Sequence, residues 1–225
     1  MDRNLGAMDI YYHGDSHYGD LYYQFGRKDP FSGPKKIYIL KEDGSYSFET
    51  WSTSTYTIQN TAADADCKNV PYSIKNPLTF IKGDYWTYND IYNPKEYESK
   101  IRWQDPYVMD DTGKSMFDPC PAGWKVPKDG IWNFQYFIWG DPLPSGKNYY
   151  PNGSSGEKEG TIFFPITQNM DNTHGGYGGQ GVGYYSTCSS SSVTNRLRLS
   201  FTSNSYYSSL QYPRAIGYPV RCIQE

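Results

Sequence analysis

Between Arg196 and Phe201 the chain reads RLRLSF, with Leu197, Leu199 and Phe201 alternating against Arg196, Arg198 and Ser200. A period of two belongs to a strand with one apolar and one polar face. The reading therefore sends the three apolar side chains into a core and turns Arg196, Arg198, Ser200 and Thr202 outward. Further strand signals lie in GTIFFPI (160–166), GVGYYST (181–187) and GYPVRCI (217–223). The stretch KKIYILKEDGSYSFET (35–50) predicts a hairpin that turns at Asp43-Gly44. Helical spacing is rarer. It predicts short helices over 19–31 (Leu21, Tyr22 and Phe25 on one face), over 76–83 (Asn76 as cap, Pro77 at the first helical position) and over 127–142 (Ile131, Trp132, Phe134 and Ile138). Irregular stretches at 83–116, 140–159 and 167–180 separate these elements; loops of that length in a compact domain are usually functional or specially stabilised. The expected class is α+β: a small antiparallel sheet, two or three short helices and long loops, in a single domain over 1–225.

Composition sharpens this picture. Hydrophobic residues make up 37% of the 225 residues, but 24 Tyr, 10 Phe and 6 Trp place much of that content in rings, which pack a core and keep polar tips for partners. The 22 Gly and 15 Pro favour short strands and many loops. Formal net charge is −3 with no run of Lys or Arg, which argues against nucleic acid or an anionic membrane as the main partner. No apolar stretch approaches the roughly 18–20 residues of a membrane span, and no direct membrane insertion is expected. Met1 is followed by the polar DRNLGAM rather than a signal peptide; the expectation is that an export signal and upstream domains have been trimmed away. Four widely spaced cysteines (Cys67, Cys120, Cys188, Cys222) without a CxxC suit an oxidising compartment with one or two disulfides, in any of three full connectivities. Four reduced cysteines are the alternative.

Candidate chemistry is sparse. His13 and His17 in HGDSH stand four apart, but Gly14 and Asp15 make the segment a turn, with no third ligand signalled for zinc. DADC (64–67) and DPYVMDD (105–111) offer acids to calcium without the spacing of a calcium loop, so solvated turn acids are the plainer reading. GGYGGQGVG (175–183) has glycines but neither the preceding strand nor the Lys-Ser/Thr of a phosphate loop. No Ser/His/Asp arrangement stands out among three His. The expectation is a protein without cofactor or metal, and not an enzyme.

Four segments, MDRNLGA (1–7), GDLYYQFGRKDPF (19–31), GKSMFDPCPAGWKVP (113–127) and GYPVRCIQE (217–225), together resemble the signature of the FISUMP-type (major paralogous) bacterial domain, in the family's order from end to end. That family is related to formylglycine-generating enzyme and to C-type lectins. The resemblance implies a C-type-lectin-like fold and a Cys120–Cys222 bridge; that leaves Cys188 either free beside the serine tract or paired with Cys67. It also implies that Trp124 and Val126 are core, and that Arg3 and Arg221 serve structure rather than a ligand. Such domains occur at the C-termini of fimbrillin-like pilus-tip proteins, and related folds serve as the variable proteins of diversity-generating retroelements. The oxidase relatives use a close cysteine pair for copper, which Cys188 and Cys222, far apart in sequence, do not match; an oxidase is kept as a remote alternative.

The resemblance implies that the ligand surface is built by the last strand-loop-strand unit. There the candidate ligand-binding residues are Tyr184, Asn195, Arg196, Arg198, Ser200, Thr202, Asn204, Tyr206, Tyr207, Gln211 and Tyr212. Tyr, Ser, Asn and Arg are the residues antibody loops favour, and Tyr, Asn, Ser and Thr are the products expected when Asn codons are randomised at adenines. A polar strand and loop on a tyrosine-rich protein is the plainer reading. The expected function is an extracellular adhesin-like module on a bacterial surface or pilus tip. Its partner would be a protein or glycan, with other pilus subunits engaged through upstream domains. A structural assembly module is the alternative.

Overall fold

The computed structural model describes residues 4–5, 21–32, 37–40, 43, 46–49, 54–57, 69, 72–83, 103, 114–115, 117–132, 146–149, 162–173, 175, 177–179, 181–190, 195–202 and 204–225. The strands run β1 (Leu21–Tyr23), β2 (Phe31–Ser32), β3 (Ile37–Leu40), β4 (Tyr46–Glu49), β5 (Ser54–Thr57), β6 (Thr79–Lys82), β7 (Trp124–Lys125) and β8 (Gly146–Tyr149). They continue with β9 (Ile162–Pro165), β10 (Asn169–Met170), β11 (Tyr177–Gly178), β12 (Gly183–Ser190), β13 (Asn195–Phe201), β14 (Tyr206–Pro213), β15 (Tyr218–Pro219) and β16 (Ile223–Gln224). Among the described residues the largest pairing unit is the antiparallel meander β12-β13-β14; β15-β1-β2 forms a second three-stranded sheet, and the rest are pairs. The expected hairpin over 35–50 is present as β3 against β4, Leu40 opposite Tyr46.

Among the described residues strand predominates and helix is almost absent, with no helix of seven residues or more. This overturns the expected α+β class with its two or three helices, and with it the C-type-lectin-like arrangement. The reasons are local. In 19–31 the apparent helical face is too short to hold a helix, and Tyr22 and Tyr23 instead pair with Pro219 and Tyr218 on β15. Gly26, at φ 78°, then turns the chain. In 76–83 the Thr-Phe-Ile core prefers an extended chain and lies parallel to β5, while a helical turn sits just before it, at 72–75. In 127–142 the described residues 127–132 are turns and bends, and Ile131 is exposed where Trp132 is buried. Phe134 and Ile138 lie outside the described residues.

The signature segments are where buried polar groups are satisfied. Gln24 is fully buried: its Nε2 donates to the carbonyls of Ile81 (2.8 Å) and Ala215 (2.7 Å), and its Oε1 accepts from Ile81 N and Arg27 Nη1. Arg27 reaches on to the carbonyls of Thr79 and Pro77, and Trp103 Nε1 donates to the Arg27 carbonyl. Asp118 accepts from the amides of Cys120 and Val126, bracing the CPAGWKV turn. Each is a group that would cost free energy if buried unpaired.

Cys120 and Cys222 are joined as the resemblance implied, across 102 residues, and the bridge sits in a core of Tyr23, Phe25, Trp103, Val126, Cys188 and Val220. Val126 is buried and Trp124 half-buried. Arg221 is buried, donating to Asn4 Oδ1 and the Phe163 carbonyl, as expected of a structural residue. Arg3, Cys67, HGDSH, DADC and DPYVMDD lie outside the described residues. The glycine-rich 175–183 stretch contributes β11, which pairs with β10.

Candidate binding surface

The meander sorts its side chains to two sides. Leu199 opposite Tyr185, and Phe201 opposite Gly183, face a core of Trp132, Tyr149 and Phe164. Gly183 is required there, since a Cβ would run into the Phe201 ring. On the reverse side, Arg198 lies opposite Ser186 and Ser200 opposite Tyr184 across β12. Across β14 the same side brings Tyr212 opposite Arg196, Leu210 opposite Arg198 and Tyr207 opposite Ser200, with a bulge between Arg198 and Ser200.

The expected outward-facing set is not outward. Arg196 is 0%, Ser200 3% and Arg198 4% exposed. Alternation tells which residues share a side but not which side meets water. Here the return segment 214–219 covers the polar side. Arg196 donates to the Ile216 carbonyl (2.6 Å) and Ser186 Oγ (3.2 Å), and its guanidinium lies over the Tyr218 ring at 4.1 Å. Arg198 donates to the Tyr218 hydroxyl and sits 3.2 Å from the Tyr212 ring centre, 4.3 Å from Tyr184 and 4.9 Å from Tyr218. Carbonyls, hydroxyls and ring faces replace water around both cations. Leu197, expected in the core, is half-buried, because the apolar cluster is centred on Leu199 and Phe201.

The residues after Phe201, expected as a loop, form β14. Thr202 shapes the connection: its Oγ1 accepts from the amides of Asn204 and Ser205 and bonds the Ser205 hydroxyl at 2.6 Å. Asn204 is exposed in that turn. Tyr206 falls on the core side, half-buried, with its hydroxyl donating to the Trp132 carbonyl, so it does not share a surface with Tyr207. Asn195 and Gln211 lie, with Leu197, toward the other side from Arg198, Gln211 exposed and Asn195 half-buried.

What the structure brings together from the predicted set is Tyr184, Tyr207 and Tyr212, over the buried Arg198. Tyr207 is 49% exposed, and Tyr184 and Tyr212 are half-buried. Leu210 and Tyr218 join them although the sequence pattern places the first in a loop and the second inside a structural signature. The Tyr184 ring also packs against the β10–β11 hairpin, where Gly179 at φ 76° leaves room that a Cβ would close.

Burial pushes the Tyr184 phenol up while Arg198 pulls it back. Tyr218 is pushed up to about 12 by burial, again opposed by the arginines. Burial pulls the Arg196 guanidinium down, yet a guanidinium stays protonated at neutral pH. The surface therefore offers ring faces and hydroxyls set over fixed positive charge. Elsewhere, Cys188 is a buried free thiol pushed up to about 12 by desolvation. No family model, curated protein or solved structure matches the chain.

Proposed function

We propose that the chain is an extracellular ligand-binding module of a bacterial surface or pilus-tip protein. It binds reversibly through the tyrosine side of the β12–β14 meander. The observation that carries this reading is the convergence of Tyr184, Tyr207 and Tyr212 on one partly exposed side of a sheet whose other side is core. A rigid core-backed sheet holding amphipathic rings at its surface binds with little loss of conformational freedom. Cys222 is held by Cys120, and Cys188 keeps its proton at neutral pH, which favours binding over thiol chemistry. The test is an array of glycans and extracellular proteins probed with the wild type, Tyr207→Ala and Tyr212→Ala. Signals that survive both substitutions would remove this surface from the account.

A second reading, an assembly module, is favoured by one feature. Among the described residues β14 is the edge of its sheet, and 199–213 contains no charged residue. Edge strands left without charge invite pairing with another chain. Concentration-dependent self-association in sedimentation, lost on Ser209→Lys, would favour it.

A further inference from the structure

Resting on the binding reading above, we infer from the acid-free arginine pair beneath the tyrosine surface that the ligand is an acidic saccharide, one bearing carboxylate or sulfate groups. Two independent observations point there. From Asn172 to Gln224 the sequence holds four Arg and no Asp, Glu or Lys, in a chain whose net charge is −3. And neither Arg196 nor Arg198 donates to a carboxylate: their hydrogen bonds go to Ser186, the Ile216 carbonyl and Tyr218, and the Nε of each has no hydrogen-bond partner.

A cation held in a low-dielectric interior is weakly screened, so its field emerges at the nearest surface. Here that surface is the one formed by Tyr184, Tyr207, Leu210 and Tyr212. Ser209 Oγ donates to the Asp129 carboxylate at 3.3 Å, at the strand's other side. The rim is phenol and hydroxyl, which suits sugar hydroxyls, and the rings offer stacking faces to a pyranose. A peptide strand would instead seek the β14 edge, and a nucleic acid would need a series of exposed cations to neutralise its phosphates.

The experiment uses calorimetry with 3′-sialyllactose, a hyaluronan oligosaccharide and a heparin-type oligosaccharide. Lactose and a chito-oligosaccharide are the neutral counterparts, and an acidic peptide tests the competing class. Leu210→Glu places a carboxylate opposite Arg198, and Leu210→Gln is its uncharged control. The expected result is at least one acidic saccharide binding about tenfold or more tighter than its neutral counterpart. That affinity should weaken with salt, and it should fall about tenfold further in L210E than in L210Q. If a neutral sugar, the peptide or another protein binds best, and L210E equals L210Q while Tyr207→Ala still abolishes binding, the acidic-saccharide inference fails and the binding surface stands. If no substitution on this side alters binding, both fail. If neither acidic nor neutral saccharides bind, the inference fails outright.

Discussion

Tyr206 and Tyr207 are adjacent in sequence and opposite in role, and removing each in turn separates scaffold from surface. Tyr206 packs on the Trp132, Phe164, Leu199 and Phe201 cluster and donates its hydroxyl to the Trp132 carbonyl. Tyr206→Phe deletes that hydrogen bond alone, worth about 1 kcal/mol net. Tyr206→Ala also removes a half-buried ring, bringing the loss to about 2–4 kcal/mol. In a domain of this size that corresponds to a fall of about 4–16 °C in Tm. Tyr207, half in water and opposite Ser200, should cost under about 0.5 kcal/mol when replaced by Ala. Urea denaturation followed by tryptophan fluorescence, with circular dichroism as a second probe, resolves differences of this size. Equal losses at the two positions, or a larger loss at Tyr207, would refute the assignment of the two rings to opposite sides of β14.

Further outcomes follow from the same packing. Leu199→Ala should cost about 2–5 kcal/mol through a core cavity, read in the same denaturation assay, with m unchanged. Replacing Cys120 and Cys222 with Ser should lower stability by about 4–5 kcal/mol on the chain-entropy account of a 102-residue closure, measured against the oxidised wild type. Tyr218 has a raised folded pKa, about 12 against 10.0. Its contribution should therefore be complete below pH 10 and disappear as pH rises from 10 to about 12; Tyr218→Phe should flatten that alkaline loss in a pH series of unfolding curves. Cys188 should resist alkylation at pH 8 in the native protein and react once it is unfolded, as mass spectrometry will show.

The sequence was legible where a local rule and the tertiary context agree. Alternation in 196–201 correctly sorted Leu199 and Phe201 from Arg198, and Asp43-Gly44 marked a hairpin that is present in the backbone. The Cys120–Cys222 bridge followed from the signature around DPCPAGW and VRC, and not from cysteine spacing. The misreadings have physical causes. Nothing local to RLRLSF says that Tyr218 and Ile216 return over the arginine side, so two buried cations looked exposed. Tyr206–Pro213 reads as loop because Ser and Gln interrupt it, although its tyrosines favour an extended chain and the bulge is what lets Tyr206 reach the core. Leu21–Tyr23 and Thr79–Lys82 are too short for periodicity to separate helix from strand, and nothing local points to their pairing with β15 and β5. Of the eleven residues named in advance as ligand-binding, Tyr184, Tyr207 and Tyr212 assemble into a partly exposed surface; Arg196, Arg198 and Ser200 support it from beneath, and Thr202 builds the turn.

The claim that this tyrosine side is where a ligand sits is tested most directly by NMR of protein labelled at the tyrosine rings, titrated with a ligand found on the arrays. The account predicts saturable shifts confined to Tyr184, Tyr207 and Tyr212, with Tyr218 moving less and Tyr22, Tyr23 and Tyr149 still. Saturable shifts centred on that second group, with the first group unmoved, would contradict it.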